Sequence, residues 1–234
     1  MNLFNCKKLV LSLLILVCFW FLYPVARVGF FFFSDPIPND RVLVANPWII
    51  DDASGKNLTR HGGIVRLPKD INQSITLLQE TFAKAKKEGK NIIPFGSRHS
   101  MGKQSLKKDA FHIDLKNLCG IKMEAGLVRV EAGARWKEVL KFLAPKGLTV
   151  EIMQSNADFS IGGSLSVNAH GWQPDRPPIS STVLKIRMLT SNGEIKICSR
   201  TENQKIFQNF LGGYGLIGIL LEAWIKPIEN EILR

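Results

Sequence analysis

Three segments of this 234-residue chain gather glycine and small hydroxyl side chains in a pattern suited to an anionic ligand. The first is Gly96-Ser97-Arg98-His99-Ser100, which follows the apolar run Asn91-Ile92-Ile93-Pro94-Phe95. The second spans residues 155–171 and holds Ser160-Ile161-Gly162-Gly163, Ser166, Asn168 and His170-Gly171. The third is Gly212-Gly213-Tyr214-Gly215-Leu216-Ile217-Gly218-Ile219. Glycine lets a backbone approach a ligand closely and adopt positive φ, and consecutive amides in such a segment can form an anion-binding nest. In the first segment the Ser97 and Ser100 hydroxyls and the Arg98 guanidinium add donors for phosphate oxygens. A small-residue turn in a packed core explains any one of these segments equally well, because single glycine motifs are weak signals.

None of the three fits the Gly-x-Gly-x-x-Gly strand-to-helix fingerprint or a phosphate loop ending in Lys-Ser/Thr. A Rossmann mode of dinucleotide binding is therefore excluded. Instead, the spacing suggests loops at three strand ends converging on one long ligand. Metal chemistry finds no support, since Cys6, Cys18, Cys119 and Cys198 are isolated and form no Cys-x-x-Cys or His/Cys ligand spacing. His112 lies on an alternating segment and reads as a surface residue, and His61 reads as loop decoration beside Gly62-Gly63. Asp158 is expected to fix the turn before Ser160. Asp175 belongs to a proline-rich loop that would rim the site. Neither carboxylate is assigned as a base, and no catalytic residue is assigned.

The elements that must carry these segments are short. Residues 64–68, 91–95, 111–115 and 126–133 read as strands. Ile71, Ile75, Leu78, Phe82 and Ala85 recur at helical spacing, as do Trp136, Val139, Leu140 and Leu143, where Gly147 forms the stop. Residues 183–190 and 194–198 form strands joined by Ser191-Asn192-Gly193, a strong hairpin signal. A short helix near residues 201–210 and a last strand ending at Lys226-Pro227 complete the pattern. Short strands mixed with few helices predict an α+β fold of two small lobes.

The N-terminus reads differently. Lys7 and Lys8 precede an uncharged, mainly apolar run from Leu9 to Tyr23, followed by Pro24-Val25-Ala26-Arg27 and the phenylalanines at 30–33. A membrane span needs roughly 20 residues, which the run reaches if it continues through Pro24 with Arg27 snorkelling. A secretory signal peptide is the competing reading, but no small-x-small cleavage site follows the apolar run. Residues 1–33 are therefore expected to be a single-pass membrane anchor and residues 34–44 a linker. The two lysines favour a cytoplasmic N-terminus, although the slight charge bias leaves orientation open. The formal net charge is +11. The lysines are dispersed and no basic run is interleaved with stacking aromatics, so nucleic acid is not an expected partner. A basic surface near an anionic membrane accounts for the charge.

Taken in order, Pro94 to Ser100, residues 155–171 and residues 207–219 resemble the vanillyl-alcohol oxidase family and its PCMH-type FAD-binding domain. Sugar-lactone oxidases, alditol oxidases, D-lactate dehydrogenases and cytokinin dehydrogenases share this domain. The resemblance covers residues 45–229, leaving 230–234 as a tail. It implies that Phe95, Gly96, Ser97, Arg98, His99 and Ser100 wrap the FAD pyrophosphate. Ser160, Ile161, Gly162 and Gly163 would approach the pyrophosphate and ribityl chain, and Ser166, Asn168, His170 and Gly171 would lie alongside the flavin. Gly218 and Ile219 would line the adenine or ribityl side, with Val183 near the adenine. In many relatives the histidine matching His99 is bonded covalently to the flavin 8α-methyl group, consistent with the nucleophilicity of neutral imidazole near pH 7; a non-covalent contact is the alternative. His170 would hydrogen-bond the flavin or line the substrate side, or else simply pack.

The resemblance also implies a substrate domain after the FAD domain, for which no room is left before Arg234. The expectation is thus the FAD-binding module of a membrane-anchored oxidoreductase that takes hydride from a hydroxyl-bearing small molecule. Either the chain is a fragment or split product of a longer protein, or a separate partner supplies the substrate domain. The alternative is a non-catalytic flavin-binding or assembly protein.

Overall fold

The computed structural model describes residues 3–34, 47–172 and 174–231. The chain divides into two compact units, Met1–Asn46 and Pro47–Arg234. In the first, α1 (Leu3–Ser34) is a 32-residue helix containing Pro24. Its described side chains, at 12–13 and 16–30, are exposed apart from the half-buried Gly29. Among the described residues no helix is long and apolar enough to cross a membrane. The expected linker lies outside the described residues except for Ser34, which closes α1.

The second unit opens with a small antiparallel pair, β1 (Ile49–Ile50) and β2 (Thr59–Arg60). Next come β3 (Gly63–Arg66), α2 (Ile71–Glu88), β4 (Ile92–Phe95) and β5 (Phe111–Asp114). These strands form a parallel sheet in the order β3-β5-β4, and α2 carries the chain from one edge strand, β3, to the other, β4. Asp70 caps α2 by accepting from the Gln73 amide at 2.8 Å. Gly89 ends the helix at φ +62°, where a side chain would be strained.

The remaining elements are β6 (Ile121–Glu124), β7 (Leu127–Glu131), α3 (Trp136–Leu143), β8 (Leu148–Val150), α4 (Ile161–Ser166), β9 (Val183–Thr190), β10 (Ile195–Ser199), α5 (Gln204–Phe210), β11 (Gly218–Ile225) and β12 (Pro227–Glu229). Five of them build an antiparallel sheet in the order β10-β9-β11-β7-β6, and β12 pairs with β8. On one face of that sheet Glu222 is buried, with its carboxylate shared between Arg129 and Arg187. Trp224, under Arg129 and Lys185, donates to Glu124 at 2.9 Å.

This mixed α/β arrangement refines the α+β expectation. The first sheet is wholly parallel, and one cluster of buried side chains runs from Leu67 and Leu78 through Ile113, Val130 and Trp136 to Leu165, Ile186 and Leu221. The two expected lobes are thus two sheets of one compact unit. His112 corrects the surface assignment. It lies on the central strand of the parallel sheet, where both faces are covered, and is 0% exposed. Its Nδ1 lies 3.1 Å from the Ala110 carbonyl and its Nε2 accepts from the Lys107 amide at 3.2 Å. Burial holds its pKa below the ordinary histidine value. His61 is likewise buried, with Nε2 2.8 Å from the Pro47 carbonyl, and is no loop ornament.

The two sheets meet at the turn after β7. The Gly133 amide donates to the Leu118 carbonyl at 2.7 Å, and a Cβ at this position would stand 1.9 Å from the Leu115 carbonyl oxygen. A backbone carbonyl cannot swing aside as a side-chain tip can. Gly133→Ala is expected to destabilise the domain by about 3 kcal/mol, the upper end of ordinary overpacking costs. Urea unfolding with an unchanged m-value and a lowered midpoint is the measurement that checks it.

Candidate functional site

The β4–β5 connection carries the first glycine segment, and two other parts of the chain hold it. On one side, Asp52 gathers the Ser54 and Lys103 amides, the Ser54 hydroxyl and the Asn57 side-chain amide within 2.6–3.0 Å. The Ala53 amide donates to the Ser100 carbonyl at 3.1 Å, tying the far end of the segment to this knot. Burial would raise the Asp52 pKa, but the bonds from Ser54, Lys103 and Asn57 hold it below the ordinary aspartate value.

On the other side, residues 158–160 clamp the segment. The Ser97 hydroxyl donates to the Asp158 carbonyl at 3.0 Å. The His99 and Phe159 rings lie 4.9 Å apart between centroids. Gly96 abuts Ser160 so closely that an added Cβ would sit 2.3 Å from the Ser160 hydroxyl oxygen. Arg98 adopts φ +54° and lies over the Phe95 ring, 5.4 Å from its centroid. Among the described residues, none of the amides of Gly96, Ser97, Arg98, His99 or Ser100 donates to another protein group. A row of such amides with one residue in the left-handed region is the geometry of an anion nest.

The second segment behaves differently. Residues 161–166 form α4, so this segment lies at a helix and not at a strand end. Ser160 is its N-cap, and the Ile161 and Gly162 amides donate to the Ala134 and Ala132 carbonyls, each at 2.8 Å. Those two donors are therefore spent on the fold. Gly163 is exposed, Ser166 bonds back to the Gly162 carbonyl at 2.7 Å, and Asn168, at φ +47°, accepts from the Ser180 amide at 3.1 Å. His170 is exposed with Nδ1 2.9 Å from the Gly171 carbonyl, so it is not a packing residue. Asp158 does not fix its turn through its own carboxylate. Asn156 accepts the Asp158 amide at 2.9 Å, while Lys137 and then Arg135 pair with the carboxylate and hold its pKa below the ordinary value.

The third segment meets the other two at its start. The Gly212 and Tyr214 amides donate to the Leu165 and Ser166 carbonyls at 3.0 and 2.9 Å. Gly215, at φ +73°, lies 3.6 Å from the Pro94 ring measured from its would-be Cβ. Gly218 and Ile219 instead belong to β11, opposite Thr190 and Leu189 of β9. Val183 lies at the other end of β9, about 23 Å along the strand at 3.3 Å per residue. The side chains of Phe95, Ile161, Val183 and Ile219 are all buried, so they can meet a ligand only through their backbone. Phe159, Asn156 and Asp52 escaped the sequence reading of the site. The Asn-x-Asp spacing at 156–158 was the one available signal among them.

The family of FAD binding domains matches residues 64–199, more than half of the chain. The chain belongs to the FAD-binding domain family. Its match to cytokinin dehydrogenase 2 of Arabidopsis thaliana is 30% identical over 78% of this chain and 37% of the relative. It is 28% identical to D-arabinono-1,4-lactone oxidase of Debaryomyces hansenii, over 71% of this chain and 33% of the relative. The match to mitochondrial L-galactono-1,4-lactone dehydrogenase 1 of Oryza sativa is 29% identical and covers 85% and 32%. The matches thus span about a third of these relatives' length.

The residues present fit FAD. The unspent amides of residues 96–100 and the Arg98 cation meet the needs of a pyrophosphate, and Ser160 of the second segment abuts them at Gly96, while the Ser97 hydroxyl proton is spent on the Asp158 carbonyl. Gly96→Ala would push this segment off Ser160, and FAD content per chain is expected to fall more than tenfold with the far-ultraviolet spectrum unchanged. Acid should loosen the same segment from its other side. Because the Asp52 pKa is lowered in the folded chain, its contribution is present above the unfolded value of about 3.9 and is lost as pH falls through the folded one. Hydrogen-exchange protection at Ser54 and Lys103, taken relative to intrinsic exchange at each pH, should fall below about pH 4, and Asp52→Asn should abolish that step.

Proposed function

We propose that this chain is the FAD-binding module of a membrane-anchored oxidoreductase acting on a hydroxyl-bearing small molecule of the sugar, lactone, alditol or hydroxy acid type. One observation carries the reading: five successive amides without partners among the described residues lie in a segment clamped at Ser97, His99 and Gly96 by residues 158–160. The names of the relatives, lactone oxidases and dehydrogenases, support the substrate class. When bound, FAD supplies a two-electron centre that accepts hydride at N5 from the carbon bearing the hydroxyl.

The chain's own residues then have separable tasks. Gly96 to Ser100 bind the pyrophosphate through backbone donors, with Arg98 adding charge. Gly163, Ser166 and Asn168 border the ribityl chain and flavin from α4 and its C-terminal turn. His170 and Gly171 lie beyond them on the flavin side, and the backbone at Gly218 and Ile219 bounds the adenine or ribityl side. His99 is the residue that would attach the cofactor covalently, through a ring nitrogen.

Support for the anchor is the uncharged, mainly apolar run from Leu9 to Ala26 within α1, bounded by Lys8 and Arg27. An uncharged run of this composition suits contact with a lipid surface better than water. A substrate domain would complete the active site.

The purified full chain is expected to be yellow, and acid precipitation should carry the flavin down with the protein. In His99→Ala the flavin should stay in the supernatant. Anaerobic addition of an aldono-1,4-lactone should bleach the loaded protein. A loaded protein that no hydroxyl substrate bleaches, with or without a substrate-domain partner, would be a flavin-binding protein only, and a chain that takes up no FAD would sink the assignment altogether.

A further inference from the structure

The geometry points to Phe159 as the positioning residue for His99, its ring holding the imidazole in one orientation at the edge of the cofactor groove. This rests on the proposal that His99 is the attachment residue. His99 is exposed, and among the described residues neither of its ring nitrogens has a hydrogen-bond partner. An exposed imidazole of this kind would otherwise exchange freely among staggered rotamers. The ring contact His99 does make is with Phe159, at a centroid distance of 4.9 Å and an interplanar angle of 38°. That separation is within the range where aromatic pairs attract. Phe95, the other nearby ring, is engaged by Arg98 instead.

Phe159 can serve this purpose because its own backbone is fixed. Its amide donates to the Asn156 carbonyl at 3.3 Å and its carbonyl accepts from the Trp136 amide at 3.2 Å. On one side Asp158 is held by Lys137 and by the Ser97 hydroxyl, and on the other Ser160 caps α4. Trp136 is fully buried, so the support reaches the core. A tilted ring contact takes up no hydrogen bond, so it leaves both imidazole nitrogens available, which a hydrogen-bonded orienting partner would not. Phe159 thus orients the histidine without occupying either nitrogen.

The test uses the full chain with isotopically labelled histidine. His99 is one of four histidines, and its resonances are assigned by their loss in His99→Gln. In the wild type the His99 ring protons should be shifted by the neighbouring aromatic current. Phe159→Leu, which keeps an apolar side chain, should remove the shift, and Phe159→Tyr should retain it. After loading with FAD, the acid-stable fraction of bound flavin should fall at least fivefold in Phe159→Leu at unchanged total flavin, and return in Phe159→Tyr. An unshifted His99 in the wild type, or equal acid-stable fractions in the wild type and Phe159→Leu, overturns the assignment. If the wild type holds flavin but none of it acid-stable, the attachment proposal fails alone, and the ring-current comparison still decides whether Phe159 positions His99.

Discussion

The turn at residues 132–135 is the constraint on which the rest of the second unit depends. It is buried, so each of its backbone groups needs a partner, and its partners are drawn from three directions. The Ala132 amide donates to Leu221 in β11 and the Gly133 amide to Leu118 before β6. The carbonyls of Ala132 and Ala134 receive the first amides of α4, and Arg135 bridges to Ser160. Gly133 makes this possible because any side chain would overlap the Leu115 carbonyl. The parallel sheet, the antiparallel sheet and the short helix are thereby fixed to one another through a few peptide groups.

The cofactor segment inherits its position from that turn. Ser160 is at once the cap of α4, the bridge partner of Arg135 and the surface on which Gly96 rests. Moving α4 would move the floor under residues 96–100. The Asp52 knot holds the opposite end, so the segment is supported at both ends with its amides left open between. Prearranged donors of this kind cost little reorganisation when an anion arrives.

Much of this was legible in the sequence, and the exceptions have physical causes. The periodicities placed α2, α3 and the β9–β10 hairpin because each has one buried and one wet face. His112 was misread because that rule fails on a strand covered on both sides. The helix α4 was missed because Ile-Gly-Gly-Ser-Leu-Ser has poor helix propensity; it forms through Ser160 and the carbonyls of a turn 26 residues earlier, measured from Ala134 to Ser160. Among site residues, Gly96 to Ser100 announced themselves by composition. Phe159 did not, since a phenylalanine in a small-residue segment looks like core until the ring opposite it is known.

The accounting of backbone donors separates the glycine segments by task, which composition alone could not do. Gly162 and Gly163 resemble a phosphate cradle as strongly as Gly96 does. Yet the Gly162 amide is consumed by Ala132, and a Cβ on Gly162 would lie 3.1 Å from that same carbonyl oxygen. This glycine serves packing of α4 against the turn. At Gly96 the close neighbour is a hydroxyl, and the amides that follow are unspent. Equal glycine content therefore marks scaffold in one segment and binding surface in the other, and the difference lies in where the peptide hydrogen bonds end.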